Sequence, residues 1–178
     1  MFFPSSRRER ALTLVELITV ILVVAVLVVL VAPVASQFKR RLEKSKCINN
    51  LKGLHIGMQA YVQDKHSWPQ IPIEYKADQK VQAELWIDVL KPYGLTQINW
   101  VCPTSQYNLG SPDLNNPDNA RLDYTPFPYG RSQQDPFRYS NQPWFIENGD
   151  MHGNGNILIF PDGHAEELVD FLKRMKKH

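Results

Sequence analysis

A run of 22 uncharged residues, 17–38, constrains this chain most strongly. As an α-helix the run would extend about 33 Å, and the hydrocarbon core of a bilayer is about 30 Å thick. It begins directly after Glu16, and a carboxylate at the edge of such a segment is costly to bury without a partner. We therefore expect one membrane-spanning helix, and we expect Glu16 to have a function.

The residues around the run leave three kinds of segment open. A basic tip, 7–10, precedes Ala11-Leu12-Thr13-Leu14-Val15, and a cleaved secretory signal also has a basic tip. Such a signal has an apolar core of only about 7–15 residues before a small-x-small site, which 34–36 imitates. A plain signal anchor explains the hydrophobicity but not Glu16. Basic residues flank both ends of the run, so charge alone does not fix its orientation.

The third kind of segment is a processed one. The N-terminus resembles that of bacterial type IV prepilins and type II secretion pseudopilins. The resemblance is in the order of its parts: a basic leader, a small residue, an apolar residue, Thr-Leu, an apolar residue, Glu and then the apolar run. The resemblance implies that prepilin peptidase removes a leader, 1–11, by cleaving between Ala11 and Leu12, and that the new N-terminus is methylated. Two residues depart from the family pattern: Ala11 stands where Gly is usual, and Leu12 where Phe is commonest. The implied location is the inner membrane, crossed once, with the C-terminal domain in the periplasm or outside the cell in a filament.

The resemblance also gives Glu16 and Pro33 roles. Cleavage would leave a free amine on Leu12, four residues before Glu16 and on roughly the same helix face. In a filament that amine would pair with Glu16 of a neighbouring subunit and fix the register between subunits, since two buried charges that neutralise each other offset much of their desolvation cost. Pro33 is the twenty-second residue from Leu12, where many pilins carry a helix-kinking proline.

The helical pattern continues beyond the run. One helix face recurs every three or four positions, at Phe38, Leu42, Ser45, Ile48, Leu51, His55 and Met58, which is typical of an amphipathic helix. The sequence therefore predicts one helix over about 13–63. Its residues 12–38 form the transmembrane and filament-core part, and 39–64 form the amphipathic part. Small residues at 53 and 57 would let the remaining domain pack closely against it.

Residues 65–178 have a different composition, rich in Pro, Asn and Asp, which predicts short secondary-structure elements in one small domain. A helix is expected over 84–90, strands over 143–146 and 156–160, a turn at 161–163, a return strand over 165–169 and a short basic helix from 170. Residues 103–143 are expected to form extended loops. The predicted fold class is α+β and pilin-like: a long N-terminal helix packed on a small antiparallel sheet. Four tryptophans are expected in its core.

Charge and motifs exclude several functions. Removing three Arg and one Glu with the leader leaves 17 basic and 17 acidic residues, so there is no electrostatic case for nucleic acid as a partner. The hydrolase, phosphate-loop, dinucleotide and zinc-protease motifs are absent from the sequence. We therefore predict that the protein is not an enzyme.

A second resemblance lies at the C-terminal end. His152, nine further residues and then Asp162-Gly163 look like the His-x9-Asp-Gly ending of a large bacterial group of prepilin-like proteins, and the surroundings of Cys47 and Cys102 also match its layout. One interpretation of His152, Asp162 and His164 is a site for calcium or another metal. The other is a structural turn before a strand, with no metal and no cofactor, which we prefer.

Cys47 and Cys102 are the two cysteines of the chain. In an oxidising compartment they would form a disulfide between helix and domain, or they would remain two separate buried thiols. A zinc site made of cysteines alone is not expected from two widely spaced residues.

Together these observations predict a pilin or pseudopilin, a structural subunit of a type IV pilus-like or type II secretion-like filament. Its partners would be prepilin peptidase, other pilin or pseudopilin subunits and the inner membrane. The alternative is a membrane-anchored binding protein that displays 68–178 without assembling. An anchored hydrolase is a weaker third possibility, because the motifs are missing.

Overall fold

The computed structural model describes residues 13–71, 78–105, 120–153 and 155–177. The chain divides into two compact units, Met1–Arg40 and Arg41–His178. The second unit is α+β, with a four-stranded antiparallel sheet. The leader residues Ala11 and Leu12 lie outside the described part of the chain.

Helix α1 spans Leu14–Lys65, which agrees with the predicted helix to within two residues at its end. Within the first unit its apolar side chains are exposed, from Leu14 to Phe38. By length and composition, α1 is the one helix in the described ranges that is apolar enough to cross a membrane. Pro33 lies inside it.

In the second unit, one face of α1 is buried. The buried apolar residues follow a spacing of three or four, at Cys47, Leu51, Leu54, Met58 and Val62. Burying this stripe against the domain is what stabilises the helix here, because short helical segments gain most of their stability from packing.

Gly57 explains one close approach to α1. A Cβ atom at this position would overlap the side chain of Leu95, which follows the second helix in the chain. Gly53 is different, because a Cβ atom there would meet only Asn99 Nδ2, at 4.0 Å. The expectation of close packing at the two glycines therefore holds at Gly57.

Helix α2 spans Gln79–Leu90, five residues longer at its start than predicted. Asp78 caps it: its carboxylate accepts hydrogen bonds from the backbone N–H groups of Lys80 and Val81. Two 3₁₀ turns follow, Lys91–Tyr93 and Gln97–Trp100. Gly94 ends the first of them at a left-handed φ of 83°.

The sheet has the order β1-β2-β3-β4, with every neighbour antiparallel. Its strands are β1 Tyr124–Pro126, β2 Phe145–Glu147, β3 Ile157–Ile159 and β4 Ala165–Glu167. In the register, Tyr124 lies opposite Glu147 and Phe145 lies opposite Ile159. Two short helices follow strands of the sheet, α3 Asp135–Arg138 after β1 and α4 Leu168–Met175 directly after β4.

Three sequence predictions need correction. Residues 103–143 were expected to be loops, but β1 and α3 lie within them. The strand predicted over 143–146 lies at Phe145–Glu147. The return strand predicted over 165–169 ends at Glu167, and helix α4 begins at Leu168 rather than at 170. Apolar residues at 168, 171, 172 and 175 give this segment a helical spacing, which explains the change of element.

The core lies between α1, α2 and the sheet. All four tryptophans belong to it, as predicted, each 6 % exposed or less: Trp68, Trp86, Trp100 and Trp144. Trp68 and Trp144 meet edge to face, with ring centroids 5.4 Å apart. Lys44 of α1 forms an ion pair with Glu167 of β4, which ties the helix to the far edge of the sheet.

Candidate functional site

Glu16 caps the helix in which it lies. Its Oε2 atom accepts hydrogen bonds from the backbone N–H of Thr13, at 3.1 Å, and from the Thr13 hydroxyl, at 3.0 Å. The backbone N–H of Glu16 donates in return to Thr13 Oγ1, at 3.3 Å. This is a capping box, which the Thr-x-x-Glu spacing of the sequence could have revealed.

The cap leaves the carboxylate available to another donor. Both bonds from Thr13 end on Oε2, and Oε1 of Glu16 accepts none from the described residues. The side chain is exposed within the single chain. A structural role at the helix start and a second role toward a neighbouring chain are therefore compatible.

Cys47 of α1 and Cys102 are joined by a disulfide, with their Cα atoms 5.4 Å apart. Both side chains are fully buried. The backbone of Cys102 is held from the other side, because its N–H donates to the buried carboxylate of Asp123, at 2.8 Å. The bridge links α1 to the segment that follows the second 3₁₀ turn.

A buried carboxylate and a buried imidazole lie beside this disulfide. Glu147 is the last residue of β2 and is 0 % exposed, and His152 follows in the next loop with its side chain 4 % exposed. His152 Nε2 lies 3.3 Å from Glu147 Oε1 and 3.8 Å from Cys102 Sγ. Four ligand atoms, one each from Cys47, Cys102, Glu147 and His152, lie within 4.8 Å of one another.

Sequence reasoning identified three members of this cluster and missed Glu147. The sequence did hold a signal for Glu147: in a strand, residues two apart point to the same face, and Phe145 belongs to the core. A glutamate at such a position points inward, where charged residues are almost never fully buried unless paired.

The loop before β3 positions His152. Asp150 Oδ1 accepts a hydrogen bond from the Gly153 N–H, at 2.7 Å, and Gly153 has a left-handed φ of 88°. Asn156 closes the loop by donating its side-chain amide to the Glu147 carbonyl, at 2.8 Å. The Gly-rich sequence thus folds back and brings His152 against the end of β2.

The structure does not bring His152, Asp162 and His164 together as a metal site. Asp162 and His164 form their own pair on the exposed β3–β4 turn, with Oδ1 and Nδ1 2.6 Å apart. Partial burial alone would raise the pKa of Asp162, but hydrogen bonds from the backbone and ring of His164 outweigh it and lower that pKa. His164 also stacks on Phe160, with ring centroids 4.5 Å apart.

The Asp162-Gly163 turn docks on α1 through His55. The Gly163 N–H donates to the Phe160 carbonyl at 2.9 Å, and Gly163 has a φ of 81° that favours glycine. His55 Nε2 lies 2.9 Å from the Pro161 carbonyl oxygen, and a Cβ atom on Gly163 would be 3.4 Å from His55 Cε1. These contacts give the turn a packing role against α1.

His55 is itself buried, stacked on Trp144 with ring centroids 4.6 Å apart. Burial lowers its pKa, against the opposing effects of the Pro161 carbonyl and the Asp162 charge. The neutral imidazole, with Nε2–H donating to Pro161, fits this environment best.

Comparisons of the chain with protein-family models, with curated proteins and with solved structures give no significant match.

Proposed function

We propose that this chain is a membrane-stored structural subunit, a pilin or pseudopilin, of a type IV pilus-like or type II secretion-like filament. The observation that carries the proposal is helix α1. It is 52 residues long, begins at a capping box formed by Thr13 and Glu16, and has an exposed apolar surface over 14–38, and its second half belongs to a folded α+β unit.

The exposed apolar surface needs a partner. Burying apolar area is worth roughly 25 cal/mol per Å², so a helix with this surface is stable only in lipid or against other apolar helices. In a subunit that is first held in the inner membrane, lipid covers this surface. After the subunit passes into a helical bundle, the neighbouring helices cover it. A pilin-like arrangement meets this requirement.

Processing would supply the assembly contact. Hydrolysis of the Ala11–Leu12 peptide bond by prepilin peptidase releases residues 1–11 and leaves an amine on Leu12, which the resemblance implies is then methylated. Inside a filament, the amine of one subunit would face the Glu16 carboxylate of another. Oε1 of Glu16 can accept from that amine while Oε2 keeps the bond from Thr13.

A pair of substitutions separates the two roles of Glu16. Glu16→Gln keeps a side chain that can complete the capping box but removes the charge. Thr13→Ala removes the capping hydroxyl but keeps the charge. If Glu16 pairs with a neighbouring amine, Glu16→Gln inserts into the membrane but is lost from filaments sheared from its native host.

The matched control is Thr13→Ala, which we expect to assemble. Glu16→Gln filaments in wild-type amounts would refute the charge pairing. If Thr13→Ala fails to assemble while Glu16→Gln assembles normally, the role of Glu16 is to cap the helix and nothing more.

The alternative, a plain anchored binding protein, predicts a ligand surface rich in exposed aromatic residues. The four tryptophans are buried, and within 120–145 the exposed large apolar side chains are Phe137 and Tyr139. This surface supports a structural subunit better than a sugar-binding one.

A further inference from the structure

The disulfide, Glu147 and His152 form one buried polar cluster within the second unit. Both sulfurs and the carboxylate belong to fully buried residues, and the His152 side chain is 4 % exposed. The cluster joins residues 47, 102, 147 and 152, so it is made by the tertiary fold and by no local motif. Its members come from α1, the loop after Trp100, β2 and the loop before β3.

Glu147 is poorly satisfied in this setting. Neither oxygen of its carboxylate accepts a hydrogen bond from the described residues, and His152 Nε2 lies 3.3 Å from Oε1. An ionised carboxylate buried without donors costs several kcal/mol, and buried charges in proteins are therefore paired or coordinate a metal. Glu147 points at the sulfurs and the imidazole, which are ligands for soft and borderline metals.

Two distances within the cluster match those of a tetrahedral metal site. Zinc bonds of about 2.3 Å to sulfur and about 2.0–2.2 Å to nitrogen and oxygen place S and N ligands about 3.6 Å apart, and N and O ligands about 3.4 Å apart. The corresponding distances are 3.8 Å for Cys102 Sγ to His152 Nε2 and 3.3 Å for His152 Nε2 to Glu147 Oε1. The same nitrogen serves both contacts, as metal coordination requires. Binding a metal requires the two sulfurs to separate to about 3.8 Å.

We infer that Cys47, Cys102, Glu147 and His152 have a second state, in which the disulfide is reduced and the four side chains bind one divalent transition-metal ion, with zinc the best match. A dithiol reductant supplies the two electrons and two protons that open the S–S bond, and it becomes a disulfide itself. The two protein thiols then release their protons to solvent as the metal–sulfur bonds form. Two thiolates, one carboxylate and a neutral imidazole give a zinc site of net charge −1, as in a Cys₃His site.

This inference is independent of the proposed filament role, because it concerns only the second unit. The cysteines thus have two alternative partners: each other when oxidised, and a metal ion when reduced. In both states the cluster links α1 to the sheet. Metal binding would maintain that link before the chain reaches an oxidising compartment.

Cobalt(II) is the probe, because its visible absorption reports tetrahedral geometry and thiolate ligation directly. The full-length chain, in detergent, is reduced with a phosphine, freed of reductant without oxygen, and titrated with cobalt. We expect a tetrahedral spectrum with a thiolate charge-transfer band that saturates at one equivalent, and its displacement by one equivalent of zinc. The oxidised chain is expected to give neither band. Reduced protein without a tetrahedral thiolate spectrum would overturn the inference.

Variants test the two ligands that are not cysteines. Glu147→Gln and His152→Gln should each weaken cobalt binding at least about tenfold, since even outer-shell changes cost about 10–100-fold. Asp162→Asn and His164→Gln are the controls, because these residues lie on the exposed turn outside the cluster, and their affinity should stay within about twofold of wild type. Wild-type affinity in both cluster variants would refute the assignment of Glu147 and His152.

A measurement on the wild-type chain avoids any folding defect of the variants. Two thiols of the reduced chain should react with a labelling reagent, and one equivalent of zinc should slow both at least about tenfold. Labelling at the same rate with and without zinc would contradict the site.

Discussion

Reduction of the Cys47–Cys102 disulfide should destabilise the second unit by about 4 kcal/mol. The bridge closes a loop with a sequence separation of 55 residues. The chain-entropy relation gives about 3 kcal/mol for a loop of about 15 residues and about 4.7 kcal/mol for about 100, which places this bridge near 4 kcal/mol. Since domains are stable by only about 5–15 kcal/mol, a large part of the total depends on this one bond.

Urea unfolding of the full-length chain in a non-ionic detergent measures this loss. The four tryptophans all lie in the core of the second unit, so their fluorescence reports its unfolding. With a urea dependence of about 2 kcal/mol per M, reduction should lower the midpoint by about 2 M. A metal chelator is included in every sample, so that metal binding does not stabilise the reduced chain.

The control is the double variant Cys47→Ala, Cys102→Ala, whose midpoint should not respond to the reductant. Before reduction, denatured wild-type protein should show no reactive thiol. A wild-type midpoint that falls by less than about 0.5 M on reduction, which corresponds to about 1 kcal/mol, would refute the reasoning that the bridge restrains the unfolded chain.

Two further predictions concern packing and pH. Gly57→Ala should destabilise by about 1–3 kcal/mol because the new methyl group overlaps Leu95. Gly53→Ala should stabilise by up to about 1 kcal/mol, because its methyl group meets only Asn99 Nδ2, at 4.0 Å, and alanine is the better helix former. Equal urea midpoints for the two variants would contradict this. Burial lowers the pKa of His55, so the unfolded chain binds its proton first; the stability that this group contributes is complete above about pH 6.5 and falls as the pH drops below it. The difference in unfolding free energy between wild type and His55→Gln should therefore shrink between about pH 7.5 and about pH 5, and a constant difference would argue against this assignment.

Much of the fold follows from local signals in the sequence. Helix α1 is predictable because the three- or four-residue spacing begins where the uncharged run ends and continues without a break to the residues after Val62. The β3–β4 hairpin is predictable because a run of apolar residues precedes Pro161-Asp162-Gly163. In both places, the residue types that determine the backbone conformation are neighbours in the chain.

Strand β1 was missed because its partner determines it. Tyr124-Thr125-Pro126 is only three residues long and includes a proline, which is tolerated there because β1 is an edge strand. Its pairing with β2 depends on residues about 20 positions away in the sequence, and no local pattern indicates that pairing.

The polar cluster was only partly predictable for the same reason. The even number of cysteines suggested a bridge, and the motif drew attention to His152. Glu147 enters the cluster through the register of β2 against β1, where it lies opposite Tyr124. Burial, and after it the charge of Glu147, raises the pKa of the Tyr124 phenol.

The motif at the C-terminal end therefore has two structural halves. His152 packs against the disulfide, and the Asp162-Gly163 turn packs against His55 of α1. Both halves contact the helix or its bridge, so the spacing between them is determined by the strand β3 that connects them. In this chain, the two halves of the pattern therefore have separate packing roles.

The central claim, that the chain is a processed filament subunit, is tested most directly by the intact mass and N-terminal sequence of the protein extracted from the membranes of its native host. The account predicts a chain that begins at Leu12 and carries a methylated amine. A chain that still begins at Met1 would contradict processing and favour a plain anchor, and a chain that begins near Gln37 would make this a secreted domain.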